Sequence, residues 1–372
     1  MRILRLYIQE CGVFHQTLID FTHDGVAQDV LCIAGVNGSG KTTVMELLFN
    51  LLMLLNPELS LGDISFDRLK SNILTRVEFA QLDIKVNDYT LSLVIGNSEK
   101  IQKDKQSEQI FIIEPELGSY ISKFENSTVK TPDDDNESPH IIIRRLKSVI
   151  EDDDFSKRHI DKINVEKLQS LIDNIKQRID IQNDSSDKYN ELPFIYFFNA
   201  HDREIHDIRY SSIPKVKLEY QLVHRYSPKK DDLKKTLIYY DYAYPDKFEE
   251  LKNWLNKYLL IGKSITGIDR VNFNVTISTN NGSLHGLELL SSGEESLLII
   301  ATQIYLRAHQ NSVFLIDEID QSLHPEFQEK IIKLIRNLQK EKGCQIIVSS
   351  HSEIIWRNFE SKGLIDLTGT VL

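Results

Sequence analysis

The stretch Gly35-Val36-Asn37-Gly38-Ser39-Gly40-Lys41-Thr42 leaves a chain few ways to fold. It follows the apolar run Val30-Leu31-Cys32-Ile33-Ala34 and opens the mostly apolar segment Thr42 to Leu55, so the local order is buried strand, glycine loop, helix. Glycines let such a loop wrap tightly with its N–H groups facing inward, and the helix that follows aims the positive end of its dipole at the same point. The loop is built to hold phosphate. Lys41 reaches the outer phosphates and the Thr42 hydroxyl is suited to Mg²⁺. Gly35, Asn37, Gly38, Ser39, Gly40, Lys41, Thr42 and Thr43 are therefore candidate nucleotide-binding residues, with Thr42 also a metal ligand.

A second element points to the same edge of a sheet. Val313-Phe314-Leu315-Ile316-Asp317-Glu318 is an apolar strand ending in two acids, which places both carboxylates at the strand's C-terminal end, where ligands bind in parallel sheets. Asp317 is the candidate metal ligand and Glu318 the candidate general base for an attacking water.

Organisation along the chain supports an α/β fold. Residues 1 to 34 read as strands, 76 to 95 as a β-hairpin turning at Asn87-Asp88, Leu192 to Asn199 as a strand, Asp246 to Leu260 as a helix and 265 to 278 as strands. Helix at Glu294 to His309, strand at Val313 to Ile316, helix at Pro325 to Lys342 stopped by Gly343, and strand at Gln345 to Ser349 then alternate. Such alternation implies a mostly parallel sheet, with the hairpin forming an antiparallel side sheet. Residues 97–190 break the pattern with acidic runs at Asp133 to Asp135 and Glu151 to Asp154 and read as an insertion, acidic and partly helical. Within it Val165, Leu168, Leu171, Ile172, Ile175 and Ile179 recur at helical spacing, too few for a long coiled-coil arm.

The chain has 372 residues, is 41% hydrophobic and carries a formal charge of −11. That balance supplies a core and argues against a generally basic nucleic-acid coat. Arg144-Arg145-Leu146-Lys147, Lys157-Arg158 and the lysine pairs between 229 and 235 could line a basic rim, but solvated charge is the simpler reading, and nucleic-acid binding stays open. Cys11, Cys32 and Cys344 lack metal-ligand spacing. Met1 to Glu10 alternates as a strand does, unlike a signal peptide, and the run Val44 to Leu55 is too short to span a bilayer. A cytoplasmic protein without a membrane anchor is expected.

Leu290-Ser291-Ser292-Gly293-Glu294-Glu295 precedes a long helix, and here the chain resembles the signature loop of ABC-type ATPases. The third position of that motif is usually glycine and is Ser292 here, leaving Ser291 and Gly293 as the matching γ-phosphate contacts. The same residues also suit a serine N-cap with glutamates in the first turn. Asp320-Gln321-Ser322-Leu323-His324-Pro325 resembles the turn after the acidic pair in the RecF, SMC and OLD-like branch, with His324 also suited to capping. His351, after the strand Gln345 to Ser350, matches the switch histidine. No clear glutamine follows Leu192 to Phe198, where the family's Q-loop belongs. Asn199, His201 and Asp202 are the candidates there.

The resemblance implies a P-loop NTPase of the ABC-type ATPase head kind, formed by residues 1–96 and 191–372 with 97–190 inserted. Its cofactors would be ATP and Mg²⁺, with Glu318 and His351 catalytic. Two heads would sandwich ATP, each site combining the phosphate loop and acids of one copy with Ser291 and Gly293 of the other. A homodimer or higher homo-oligomer gating a separately encoded effector or nuclease is the expected arrangement, in defence against phage or plasmids or in DNA repair. With about twenty residues after His351, the appended nuclease domain of OLD proteins is not expected. The nucleotide-binding subunit of a membrane transporter and a non-hydrolysing ATP-sensing scaffold are the alternatives.

Overall fold

The computed structural model describes residues 1–53, 77, 79–86, 89–96, 192–205, 208–216, 221–359 and 362–371. The readings for residues 97–190, including the amphipathic helix and the basic pairs at 144–147 and 157–158, lie outside the described residues.

The strands are β1 (Arg2–Cys11), β2 (Phe14–Asp20), β3 (Thr22–His23), β4 (Val26–Ala27), β5 (Val30–Ala34), β6 (Phe79–Val86), β7 (Tyr89–Gly96), β8 (Phe194–Phe198), β9 (Val223–Arg225), β10 (Lys263–Asp269), β11 (Asn274–Thr279), β12 (Leu284–His285), β13 (Ser312–Ile316), β14 (Gln345–Ser350) and β15 (Leu364–Asp366). The helices are α1 (Lys41–Met53), α2 (Leu233–Ala243), α3 (Pro245–Tyr258), α4 (Ser292–Arg307), α5 (Pro325–Lys342) and α6 (Glu353–Trp356).

Six strands form the central sheet in the order β15-β5-β14-β13-β8-β9, and every neighbouring pair is parallel. β5, β8, β13 and β14 are apolar runs because both faces of this sheet are covered, as crossover helices and a second layer require. Alternate residues separate cleanly between two cores. Phe194, Tyr196, Phe198, Phe314 and Ile316 join α2 to α5 and the β10–β11 pair, whereas Ile195, Phe197, Val313 and Leu315 join α1 and the antiparallel sheet β2-β1-β6-β7. The side sheet includes the hairpin read from residues 76 to 95. A third sheet, β10-β11-β12, is also antiparallel.

Helix ends follow local chemistry. Pro325 opens α5, and Gly343 ends it in the left-handed region at φ +68°, the bounds read from sequence. The stretch before Asp246, where no helix was read from sequence, contains α2. Its N-cap Asp232 accepts the Lys235 N–H at 2.5 Å, and Leu233, Leu237, Ile238 and Tyr240 are buried. Lys234 is buried within this helix, which corrects the reading of the 229–235 lysines as uniformly solvated, while Lys229 and Lys230 are exposed. Cys11, Cys32 and Cys344 are all buried. No described helix is long and apolar enough to cross a membrane.

Candidate nucleotide site

Because the central strands are parallel and in register, their C-terminal ends share one edge. Ile33 pairs with Ser349, Ala34 with Ser350, and Ile316 with both Val348 and Phe198. The glycine loop leaves β5 there, Asp317 and Glu318 leave β13, and His351 leaves β14. The loop folds under tight constraint. A Cβ on Gly35 would lie 2.2 Å from Ser39 Oγ, and one on Gly40, at φ +91°, would lie 2.5 Å from the Phe14 ring at the start of β2. The β1–β2 hairpin thus closes against the loop and holds its shape.

Lys41 is buried, and its Nζ donates to the carbonyls of Gly35 at 2.8 Å and Val36 at 2.9 Å. Burial pushes its pKa down, while Glu318, Asp317 and Asp320 act the other way. A desolvated cation whose hydrogen bonds among the described residues go to loop carbonyls is prepared to exchange them for an anion.

Asp317 is the point where the two motifs meet. It is buried, its Oδ1 accepts the Ser349 hydroxyl at 2.5 Å, and the Thr42 hydroxyl lies near enough to favour its charged form. Burial raises its pKa and prevails over the opposing influence of the Ser349 and Thr42 hydroxyls and Arg203, with Glu318 adding to the rise. A carboxylate held in this state gains from a cation beside it. Among the described residues no group of three or more His, Cys, Asp or Glu side chains is arranged to hold a metal. Mg²⁺ asks for less, because it commonly takes one or two protein oxygens and completes its shell with phosphate and water. Thr42 and Asp317 fit that donor set.

Glu318 occupies the left-handed region at φ +46°, uncommon for a residue with a side chain. Its N–H donates to Ser349 Oγ at 2.8 Å, and its carbonyl accepts from Arg203 Nη2 at 2.8 Å. His351 is half exposed, with Nδ1 3.1 Å from Oδ2 of the buried Asp320. His324 caps α5, its Nδ1 accepting the Glu326 N–H at 3.4 Å.

Ser291 caps α4 in a reciprocal box. Its backbone N–H and hydroxyl donate to Glu294 Oε2 at 2.8 and 2.9 Å, and its Oγ accepts the Glu294 N–H at 3.3 Å. Lys263 Nζ closes on Glu294 Oε2 at 2.8 Å. Gly293 packs on the turn after the acids, where a Cβ would lie 2.7 Å from the Ser322 carbonyl oxygen. Neither Ser291 nor Gly293 makes a hydrogen bond to the glycine loop of the same chain among the described residues. The Q-loop candidates form a small cluster: Asn199 Nδ2 donates to Asp202 Oδ2 at 3.4 Å, and Gln321 Nε2 meets His201 Nδ1 at 3.4 Å.

Three participants were not singled out from sequence. Ser349 was read only as part of a strand, and Arg203 and Gln321 only as members of loops. Each acts through a contact between segments distant in sequence, which no local pattern announces.

A phosphate-type glycine loop, an acidic pair on the adjoining edge and a central parallel sheet flanked by antiparallel sheets define a P-loop nucleotide-binding fold of the AAA-domain class. The chain belongs to the family described as "AAA domain, putative AbiEii toxin, Type IV TA system", whose pattern matches residues 30–355. Retron Ec83 probable ATPase from Escherichia coli is 34% identical over 117 residues, covering 28% of this chain and 21% of that protein. Septu protein PtuA from Bacillus thuringiensis is 36% identical over 93 residues, covering 22% of this chain and 23% of that protein. The matched part therefore spans under a quarter of either relative. Among solved structures, the SMC head domain from Thermotoga maritima superposes with a TM-score of 0.42 at 13% identity, covering 96% of this chain and 92% of that one.

Proposed function

We propose that this chain is an ATP-hydrolysing switch whose heads associate head to tail around ATP and Mg²⁺ and gate a separately encoded partner in defence against phage or plasmids. The observation that carries it is the shared sheet edge at which the glycine loop leaves β5 and Asp317 and Glu318 leave β13, with the buried Lys41 and both carboxylates acting on one another electrostatically while Glu318 stands on a held turn. Gly35 to Thr43 bind the triphosphate, with Lys41 leaving the Gly35 and Val36 carbonyls for the outer phosphates. Thr42 and Asp317 hold Mg²⁺, which neutralises phosphate charge when bound. Glu318 orients the attacking water and accepts its proton, and His351, backed by Asp320, faces the γ-phosphate.

Ser291 and Gly293 act on the nucleotide of a second copy. The start of α4 favours an anion through its helix dipole, and the Ser291 hydroxyl, which donates to Glu294 Oε2 in the single chain, would exchange that carboxylate for the nucleotide of the second copy. Sharing the triphosphate between two surfaces makes association depend on ATP, and hydrolysis withdraws that dependence. The defence role leans on the relatives named for a retron and for Septu and is an analogy of family rather than of chemistry.

The test is Glu318→Gln. It should bind ATP about as tightly as wild type, lose turnover by at least about a hundredfold and accumulate as a dimer in sedimentation with ATP and Mg²⁺. Wild-type turnover in this variant would refute the assignment of the base. A monomer at saturating nucleotide would refute the sandwich.

A further inference from the structure

We infer that Arg203 is the positioning residue for Glu318: through Nη2 it fixes the backbone that aims the general base, and it links that backbone to the loop after β8. The inference rests on the reading of Glu318 given above. Four observations carry it.

First, Arg203 is 4% exposed, a burial that arginine seldom reaches without a charge partner. Second, one nitrogen serves three acceptors: the Glu318 carbonyl at 2.8 Å, Gln321 Oε1 at 3.1 Å and the Ala200 carbonyl at 3.4 Å. Third, Nε and Nη1 are buried without a hydrogen-bond acceptor among the described residues. A side chain kept only for stability would seldom leave two buried donors unfilled. Its charge is instead directed at Asp317, Glu318 and Asp320, all of which act on it electrostatically.

Fourth, the turn it grips is strained. Glu318 sits at φ +46°, a conformation that costs on the order of 1 kcal/mol or more for a residue with a Cβ and persists only where the surroundings impose it. Both backbone polar groups of Glu318 are held, the N–H by the Ser349 hydroxyl and the carbonyl by Arg203 together with the Gln321 N–H at 3.0 Å. With both ends fixed, the direction of the Cα–Cβ bond is fixed. Gln321 extends the hold, accepting from Arg203 and meeting His201 on the loop after β8.

The test compares wild type, Arg203→Ala, Arg203→Lys and Gln321→Ala. Amide hydrogen exchange without nucleotide should rise at least tenfold across residues 317–323 in both Arg203 variants and less in Gln321→Ala, with exchange in α1 unchanged. Turnover of ATP should fall at least tenfold in the Arg203 variants, while nucleotide affinity stays within about threefold. Adding Arg203→Lys to Glu318→Gln should cost no further turnover, because both act through one group. Unchanged exchange across 317–323 in a folded Arg203→Lys would overturn the inference, as would a turnover loss accompanied by an equal loss of nucleotide affinity. Should Arg203→Ala fail to fold, the lysine and Gln321 variants decide. If wild type itself does not turn over ATP, the proposed function fails, and the exchange experiment still tests the hold on Glu318.

Discussion

Arg225 sets both arms of its guanidinium on the two carboxylate oxygens of Glu46, at 2.8 and 2.6 Å. The pair joins the helix that follows the glycine loop to the edge strand β9, and the guanidinium also lies 4.7 Å from the Phe49 ring and 4.8 Å from the Phe197 ring. The helix that positions Lys41 and Thr42 is therefore tied to the sheet by a planar cation with two aromatic neighbours, a geometry lysine would not reproduce.

A double-mutant cycle of Glu46→Gln and Arg225→Met, read by urea unfolding, should give a coupling of about 1 kcal/mol, since both side chains remain partly exposed and are screened. Arg225→Met alone should cost about 2 kcal/mol through lost ring contact and an unpaired Glu46. Additive single effects would mean that the bidentate geometry contributes nothing.

Asp317→Asn should make the protein more stable and, on the proposed function, less able to hold Mg²⁺. The folded protein favours the protonated form of Asp317, so an ionised Asp317 opposes folding above its ordinary pKa of 3.8, and stability is regained as pH falls through the raised folded value. An amide removes the ionisation, and the melting temperature should rise by about 2 °C. Mg²⁺-dependent nucleotide binding should weaken at least tenfold. A lower melting temperature would contradict the sign.

Gly293→Ala tests the packing between α4 and the acid-bearing turn. Alanine favours a helix by about 1 kcal/mol over glycine, yet its Cβ would press the Ser322 carbonyl at 2.7 Å and Leu323 Cδ2 at 3.0 Å. Backbone cannot yield cheaply, so a net loss of about 1–2 kcal/mol is expected by thermal or urea unfolding. A gain would show that the turn moves freely.

Glu294 gives a pH signature. Burial pushes its carboxyl up, but Lys263 and the backbone and hydroxyl of Ser291 outweigh that and hold it below the ordinary 4.5. Its contribution is present above pH 4.5 and lost as pH falls through the lower folded value. Wild type should therefore lose more stability than Glu294→Gln between pH 6 and pH 3, measured by urea midpoint. Equal losses would refute the role of this carboxylate.

The parts of the fold visible in the sequence are those where one local rule dominates. The glycine loop, the acid-tipped β13, and α5 between Pro325 and Gly343 each carry their own start or stop. α2 was missed because Asp231, Asp232, Lys234 and Lys235 hide a short apolar face, although Asp232 is a good N-cap. β15 was missed because three residues pairing with β5 carry too little pattern to distinguish them from loop. In the site, Lys41, Thr42, Asp317 and Glu318 could be named because spacing and order reveal them. Ser349 and Arg203 could not, because a serine in a strand and an arginine in a loop acquire meaning only when the sheet brings β14 and the loop after β8 beside β13.

The division of each central strand between two cores has a mechanical meaning for the acidic pair. Moving β13 along its axis by one residue would send Phe314 and Ile316 into the space shaped for Val313 and Leu315, and the reverse. Neither side could accept the exchange without voids or overlap. The height at which Asp317 and Glu318 stand above the sheet is therefore gauged by side-chain volume on both faces, much as a key cut on both edges seats at only one depth.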